Sequence, residues 1–373
     1  MKKDCVYIHQ LEGWPNLKWD RAKLADLLAE VRYLQGALLG KMVALGFSFC
    51  EEATLKILTQ DVLKTSEIEG EKLDADQVRS SIASRLGIDT GLSLQVSQDV
   101  DGIVEIMLDA TRNYNVPLTK ERLWEWHAKL FPRGRTWMNR IIIGRWRDES
   151  GGLMQVVSGP IGHETVHYEA PSFERLEEEM ERFIEWVNSE IEMDLVIKSA
   201  LAHFWFVTIH PFDDGNGRIG RAIADMLLAR SEKSEQRFYS MSSQIQRERN
   251  AYYNILEKCQ KGSLDLTDWI EWFLNCLKRA IKASEEILKS ILIKASFWKL
   301  YANQKLNDRQ RLLINRLLDG FEGKLTSSKW AKIGKCSQDT ALRDINDLLE
   351  RNILKRDEAG GRSVSYHLAL LLD

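Results

Sequence analysis

At 373 residues the chain exceeds what one hydrophobic core usually supports, so two or three domains are expected. A net charge of only −3 gives no global pull toward nucleic acid, and no run of about 18 apolar residues offers a membrane span. The five cysteines, Cys5, Cys50, Cys259, Cys276 and Cys336, are odd in number and scattered, which fits neither a zinc site nor a disulfide framework and points to a reducing, cytoplasmic compartment.

Met1-Lys2-Lys3-Asp4 leads into no apolar core of a secretion signal. Six prolines and long stretches of helical periodicity predict an all-α protein without repeats or low-complexity tracts. After an aromatic lead-in at Trp14-Pro15 and Trp19, Asp20 to about Gly46 reads as an amphipathic helix with Leu24, Leu27, Leu28, Val31, Leu34, Leu38 and Leu39 on one face. A second helix from about Glu51 carries Leu55, Ile57, Leu58, Val62 and Leu63 and runs into Thr65-Ser66-Glu67-Ile68-Glu69-Gly70, where Gly70 is a natural terminator. From Leu73 to about Asp101 periodicity fades around Gly87 and Gly91, and a linker or short helix is expected. Ile103, Ile106 and Met107 then share a helical face, Asn113 to Pro117 makes a turn, and Leu118 to Phe131 forms a helix in which His127 reads as a packed structural histidine.

Between Gly144 and Tyr168 the grammar changes. Gly144-Arg145-Trp146-Arg147, Gln155 to Pro160, and His167-Tyr168 look like short strands separated by glycines, a hairpin flanked by His163 and His167, to which no role is assigned. Ala170-Pro171-Ser172 caps a helix that buries Phe173, Leu176, Met180, Phe183, Ile184 and Val187.

From Leu195 an apolar helix, covered with hydrophobic side chains on nearly every face, ends at His210-Pro211-Phe212-Asp213-Asp214-Gly215-Asn216-Gly217-Arg218-Ile219-Gly220-Arg221. Pro211 stops it, and Ile219, Ala222, Ile223, Met226 and Leu227 restart helical spacing near Gly217. In such a helix-loop-helix, Gly215-Asn216-Gly217 lets the backbone approach a ligand, and the new helix points unpaired amides and its positive dipole end at it. Arg218 and Arg221, three apart, can project into one pocket and suit phosphate oxygens, so a polyphosphate is expected there. Asp214 at the loop's start is placed for a hard divalent ion such as magnesium, and His210 for a general base near neutral pH. Singly, such a histidine is more often structural, such an aspartate a turn residue and such arginines solvated; the combination at this spacing argues for a site.

The stretch resembles the signature of the Fic (filamentation induced by cAMP) domain, His-Pro-Phe-x-Asp/Glu-Gly-Asn-Gly-Arg-x-x-Arg, at every specified position. The resemblance implies transfer of AMP from ATP to a Ser, Thr or Tyr hydroxyl of a target protein, with release of pyrophosphate. It assigns His210 to deprotonating that hydroxyl, Asp214 to magnesium, Asn216 and the loop amides of Gly215 and Gly217 to the α- and β-phosphates, Arg218 to the β-phosphate and Arg221 to the γ-phosphate. It also makes the hairpin a flap on which the target docks as an added strand, through Val156 and Val157. Downstream, Tyr252 and Tyr253 correspond to a pair that encloses adenine, and Gln260 to a polar residue for the base. Upstream, Thr65, Glu69 and Gly70 resemble the inhibitory motif Ser/Thr-x-x-x-Glu-Gly/Asn of one class of Fic proteins, in which Glu69 would occupy Arg221 and keep ATP in an unproductive pose; a solvated glutamate at a helix end is the bland alternative.

Beyond a helix to about Asn303, the chain carries amphipathic helices at Arg309 to Leu318, around Trp330 to Cys336, and at Ser337 to Glu350. Strands are expected at Ile353 to Arg356 and Ser363 to Leu368, joined by Gly360-Gly361. Three helices and a hairpin resemble a winged helix. Asp339, Asp344, Asp347 and Glu350 against Arg343 alone oppose phosphate on its second-to-last helix and favour a protein-binding or dimerising wing; Lys329, Lys332, Lys335 and Arg362 leave DNA contact open. The expected architecture is thus an N-terminal helical domain with the inhibitory motif (1–95), a Fic-type helical bundle with a β-hairpin flap (96–295) and a small winged-helix domain (300–373). The expected partners are ATP, magnesium and a protein target that could be the chain itself, with homodimerisation left open and no membrane. The alternatives are a relative that removes AMP, with Glu69 positioning water, and a winged-helix regulator whose Fic-like part senses nucleotide without turnover; the intact His210 argues against the latter, because a sensor needs no base.

Overall fold

The computed structural model describes residues 6–44, 47–88, 94–134, 141–159, 163, 165–190, 192–318, 320–321, 323–357 and 364–369. The leader reading at Met1 to Asp4, Cys5, Gly46, Gly91, Pro160, the Gly360-Gly361 join, Arg362 and Ser363 lie outside the described residues. Contacts divide the chain into two groups, one of residues 1–44 and 50–284, the other of 45–49 and 285–373.

The first group is mostly helical. It holds α1 (Arg21–Val43), α2 (Phe47–Ile68, most of whose length falls here), α3 (Ala75–Leu86), α4 (Gln98–Arg112), α5 (Lys120–Leu130), the hairpin strands β1 (Gln155–Ser158) and β2 (Thr165–Glu169), α6 (Leu176–Asn188), α7 (Leu195–Ile209), α8 (Asn216–Glu232), α9 (Met241–Arg247), α10 (Arg249–Gln260) and the first part of α11 (Thr267–Leu300). Local chemistry starts most of these helices where they start. Asp20, Asp74, Ser97, Thr119, Asp194 and Ser240 each accept a hydrogen bond from a backbone N–H two or three residues on, satisfying one donor that helix geometry leaves orphaned.

Of the two readings left open for 73–101, a linker or a short helix, the structure has a helix, α3. Its inward residues Val78, Ser81, Ile82 and Ala83 include one serine, whose hydroxyl donates to Asp101 at 2.6 Å, so the apolar stripe is interrupted where the packing is not. Gly87, at φ +73°, closes it with the Ile88 amide on the Ala83 carbonyl.

The organising pair is α7 and α8. Every residue from Val196 to Ile209 is buried, as a helix that is apolar all round requires. Gly220 lets the partner approach, since a Cβ there would lie 2.9 Å from Val207 Cγ1. Helix α4 packs against both α5 and α8, and α6 against α7. The tightest approach is at Gly102 in α4, where a Cβ would stand 1.9 Å from the Lys129 carbonyl oxygen of α5. Gly102→Ala should therefore force the two helices apart and lower stability by about 3 kcal/mol, read as a fall in denaturation midpoint at unchanged slope. A variant as stable as the parent would refute this close approach.

One expected strand is not found. Gly144 to Arg147 is irregular, with bends at Gly144 and Arg145, and is held by the Arg147 amide on the Pro211 carbonyl at 2.9 Å rather than by a sheet partner. The hairpin is β1 antiparallel to β2, Gln155 opposite Glu169 and Ser158 opposite Thr165, with a register irregularity between Val156 and Val157. Its inner side rests on Tyr7, Tyr168 and Ala170.

The second group contains the end of α11, then α12 (Asp308–Leu318), β3 (Leu325–Thr326), α13 (Ser327–Ile333), α14 (Gln338–Glu350), β4 (Leu354–Arg356) and β5 (Ser365–Leu368). The strands form an antiparallel sheet in the order β3-β5-β4 over a core built on Leu313, Trp330, Ile345, Leu348 and Leu368. Two of the acidic residues on α14 are internally neutralised: Asp344 is buried and accepts from Arg309 at 2.9 Å and Asn307 at 2.8 Å, and Asp347 pairs with Arg351 at 2.8 Å. The exposed charges on that helix are Asp339, Arg343 and Glu350, so it opposes phosphate less than its composition indicates. Among the described residues no helix is long and apolar enough to cross a membrane, and Cys50, Cys259, Cys276 and Cys336 are free thiols.

Candidate active site

The site is built where α7 stops. His210 takes the left-handed conformation, φ +52° and ψ +60°, with its N–H on the Phe206 carbonyl, and Pro211 prevents the helix from resuming. A non-glycine residue in this region is strained by about 1 kcal/mol or more, so the surroundings must hold it. Arg147 does much of that holding. Buried, it donates from Nε to the His210 carbonyl at 2.9 Å and from Nη2 to the Pro171 carbonyl at 2.5 Å. Burial pushes its guanidinium down to about 10, which still leaves it charged at neutral pH. Phe212 then inserts into the core and stacks flat on His127, ring centres 4.2 Å apart. His127 is fully buried, burial lowers it to about 4, and its Nδ1 faces the Gly144 amide at 3.3 Å; it is a packed neutral histidine, as the sequence indicates.

The loop is closed by its own amide side chain. Asn216 Oδ1 accepts from the Phe212 N–H at 3.0 Å and Nδ2 donates to the Phe212 carbonyl at 2.8 Å, so this residue shapes the loop from within. Gly215, at φ +79°, leaves no room for a side chain, since a Cβ would stand 2.6 Å from Leu130 Cδ2 and 2.9 Å from Phe131 Cε2. Helix α8 begins directly after it without a side-chain cap, and its first amides have no intrahelical partner. The sequence therefore delivers an uncapped helix mouth in a fixed frame.

Four of the side chains expected at the site meet there. His210 Nδ1 lies 3.2 Å from the Val207 carbonyl oxygen, which can only accept; Nδ1 therefore carries the proton and Nε2 presents its lone pair. Desolvation pushes the imidazole down to about 4, with Val207 opposing and Arg147 adding to the shift, so the ring is neutral at pH 7. Asp214 is half-buried; its Oδ1 accepts from the Gly215 amide at 2.5 Å and lies 3.9 Å from Arg218 Nη2. Arg221 is 2% exposed and donates from Nη2 to Glu69 Oε1 and to the Thr65 carbonyl, both at 2.8 Å, and from Nε to Thr65 Oγ1 at 2.7 Å. Burial alone would lower its pKa, but the Glu69 carboxylate more than offsets this and the net shift is upward. The Glu69 carboxylate covers the mouth itself, for a Cβ at Gly217 would meet Glu69 Oε1 at 2.1 Å. Arg218 is equally buried, lies over the Phe131 ring at 5.1 Å, and donates from Nη1 to Glu71 Oε2 at 2.5 Å. Arg221 Nη1 and Arg218 Nε have no hydrogen-bond partner among the described residues, an unfilled donor capacity that suits an anion.

The glycine between the two glutamates explains their aim. Gly70, at φ +86°, ends α2 with its own N–H on the Glu67 carbonyl at 3.1 Å and the Glu71 N–H on the Ser66 carbonyl at 3.0 Å. This is a Schellman turn, and it fixes the residues on either side of the glycine.

The remaining expected residues are brought near to differing degrees. Tyr252 and Tyr253 lie with ring centres 5.1 Å apart but differ in burial. Tyr252 is 2% exposed, its hydroxyl lies 2.8 Å from His203 Nε2, and its ring packs near Trp269 and Trp272, which makes it core. Both feel the charges of Glu69 and Arg221, but Tyr253 is 36% exposed and so is the one with a face to offer. Gln260 is buried and donates to Thr208 Oγ1 at 3.3 Å on the last turn of α7. Val157 is 47% exposed, whereas Val156 packs inward on the Tyr7 and Tyr168 cluster, and Tyr168 donates to the Thr208 carbonyl at 2.7 Å, fastening the hairpin to α7. His163 is exposed, and His167 bridges Ser158 Oγ at 2.6 Å and Glu257 at 2.8 Å. Arg147 and Glu71 escaped the sequence reading. Arg147 has no local signal, because its partners are carbonyls of Pro171 and His210; Glu71 had one, its position two residues past Glu69 across the terminating glycine.

The end of α7 and the start of α8 thus bring together an uncapped helix mouth, two buried arginines and a neutral imidazole with a free lone pair. Residues 117–228 match the Fic/DOC family, and residues 7–88 match a domain described as of unknown function (DUF4172). The chain carries a Fic/DOC domain. It is 27% identical over 232 residues to "Protein adenylyltransferase Fic" of Drosophila willistoni, covering 60% of this chain and 40% of that one, and 28% identical over 232 residues to the protein of that name in Drosophila yakuba, covering 60% and 41%. The chain thus spans about two fifths of the length of these curated relatives. Its helical fold is shared with a Fic family protein from Desulfovibrio desulfuricans, at a TM-score of 0.54 and 20% identity over 92% of this chain and 95% of that one.

Proposed function

We propose that the protein is an adenylyltransferase that moves AMP from ATP to a hydroxyl side chain of a protein target. The observation that carries this reading is the hydrogen bond of His210: Nδ1 is committed to the Val207 carbonyl, which leaves Nε2 as the basic nitrogen, six residues before the uncapped start of α8 and close in sequence to Arg218 and Arg221. His210 Nε2 removes the hydroxyl proton as the oxygen attacks the α-phosphorus, the bond to the β-phosphate's bridging oxygen breaks, and pyrophosphate departs. Arg218 stabilises charge on the β-phosphate and Arg221 on the γ-phosphate, while the amides at Gly215 to Arg218 face the α-phosphate. Asn216 keeps those amides aligned. Tyr253 lines the nucleoside side, with Gln260 behind it, and Tyr252 supports both from the core.

Among the described residues no three acidic, histidine or cysteine side chains cluster as a complete cage for a metal. Asp214 alone at the mouth fits magnesium, which usually takes one or two carboxylates, waters and phosphate oxygens. When bound, the ion neutralises charge on the phosphates; Asp214 would hold it.

The free edge of β1, which pairs only with β2 among the described residues, is suited to receive a target strand, with Val157 outward as its contact and Val156 as support. Glu69 is the restraint: it occupies Arg221 and covers Gly217, and must move before a γ-phosphate can be gripped. The region 285–373 is best read as a winged helix, supported by the order helix, strand, helix, helix, strand, strand and the antiparallel three-stranded sheet. Its exposed face mixes Lys329, Lys332, Lys335 and Arg343 with Asp339 and Glu350 and favours a protein partner.

The test is incubation of the Glu69→Gly protein with magnesium and ATP labelled in its α-phosphate, followed by mass spectrometry for adenylyl groups on the protein or an added target. Label in the γ-phosphate should not be incorporated; if it is, the chemistry is phosphoryl transfer and this reading fails.

A pH profile gives a second check. The base works deprotonated, and its pKa lies at about 4 instead of 6.5, so the deprotonated form prevails throughout the neutral range and is lost only as pH falls through about 4. For the Glu69→Gly variant, kcat/KM should show no acid limb near pH 6.5. A half-loss of kcat/KM there would mean the histidine is not desolvated as described.

A further inference from the structure

The contact between Glu71 and Arg218 belongs neither to the motif that names Glu69 nor to any role above. Arg218 is a buried cation, 3% exposed, lying over Phe131, and its closest carboxylate is Glu71 at 2.5 Å, with Asp214 next at 3.9 Å. Arg221, three residues on, is held by Glu69 at 2.8 Å. One Schellman turn supplies both acids: Glu69 is the last residue before Gly70 and Glu71 the first after it, and the Glu71 amide is itself pinned to the Ser66 carbonyl.

We infer that Glu71 is a second determinant of nucleotide binding, one that governs the β-phosphate subsite by occupying Arg218 as Glu69 occupies Arg221. This rests on reading Arg218 as the β-phosphate residue of an adenylyltransferase. A β-phosphate and the Glu71 carboxylate compete for the same Nη1 donor. They also repel, and Glu71 already lies in a crowd: burial raises its carboxyl pKa and the charges of Asp214, Glu69 and Asp99 add to that, with Arg218 as the opposing attraction. The Glu71 side chain is 48% exposed, so it can swing into water when a phosphate takes its place, whereas the Arg218 side chain, 4% exposed, stays. The consequence is selectivity by phosphate number. A nucleotide with only an α-phosphate does not reach Arg218 and leaves Glu71 in place, whereas a diphosphate or triphosphate must displace Glu71; Glu69, which covers Gly217, stands in the way of all three.

The experiment is calorimetric titration of AMP, ADP and ATP with magnesium into the full chain and its Glu71→Gln, Glu69→Gln and doubly substituted forms. Glu71→Gln keeps the shape and removes the charge, and its side chain is half exposed, so the fold should persist; thermal denaturation checks this. The expected result is that Glu71→Gln tightens ADP and ATP on the order of tenfold and leaves AMP unchanged, the usual scale of coupling between competing groups. Glu69→Gln removes the charge both at Arg221 and over Gly217, so it should tighten all three nucleotides, ATP most, and thus differ from Glu71→Gln in its effect on AMP. If Glu71→Gln alters none of the three, or alters AMP as much as ADP, the inference is overturned while the transferase reading stands. If no nucleotide binds to any of the four proteins, the transferase reading falls and this inference falls with it.

Discussion

Replacing His210 with alanine in the Glu69→Gly background should lower AMP transfer by roughly 10²- to 10⁴-fold, the range a positioned general base contributes. The expectation follows from the division of labour within the imidazole. Nδ1 is held by the Val207 carbonyl, so Nε2 alone is basic, and desolvation keeps the ring neutral at pH 7. Alanine removes the base but leaves the helix mouth, both arginines and Asp214, so ATP should still bind. The readout is therefore a fall in turnover with little change in ATP affinity. Because position 210 adopts φ +52°, alanine there adds backbone strain, and His210→Asn, which tolerates left-handed geometry, separates strain from chemistry. Should both variants retain transfer within a few-fold of the parent, His210 is not the base.

Glu69→Gly should raise AMP transfer by roughly tenfold to a hundredfold over the unsubstituted chain. Deleting one partner of a buried ion pair changes the environment of the other by about 3–5 kcal/mol, but the Glu69 side chain is 28% exposed, which argues for a value below that range, about 1.4–2.8 kcal/mol. Two effects act together. Arg221 loses its competing carboxylate and keeps Thr65 to hold its Nε, so the guanidinium stays aimed with Nη1 and part of Nη2 free for a phosphate. The mouth of α8 also loses the carboxylate that covers Gly217. Glu69 ends its helix just before a left-handed glycine, and glycine is tolerated at such a terminus, so the change should act on the site more than on the fold. An α-phosphate label incorporated at the same rate in both proteins would show that Glu69 does not restrain the reaction.

The site was legible because its elements are local. The apolar stretch before His210, the proline that stops it, the glycines at 215 and 217 and the arginine spacing all sit within one helix-loop-helix, and the structure places them at one mouth. The long helices α1, α2, α7 and α8 were legible for the same reason, since periodicity and caps are encoded within a few residues. What periodicity could not carry was anything set by distant packing. Helix α3 buries a serine that pairs with Asp101, which interrupts its apolar stripe. Strand β3 is two residues long, too short for an alternating pattern. Arg147 reads as part of a strand but serves the carbonyls of His210 and Pro171. Adjacent tyrosines on a helix necessarily face different ways, so Tyr252 entered the core and only Tyr253 kept an open face. On α14 the composition overstates the exposed negative charge, because Asp344 is buried against Arg309 inside the domain.

The turn at Gly70 ties two events together. Since one left-handed glycine orients the acids on both sides of it, a force that unwinds the last turn of α2 withdraws both from α8 at the same moment. Each side chain can still swing away singly, but levering that one turn would uncover Arg218 and Arg221 together.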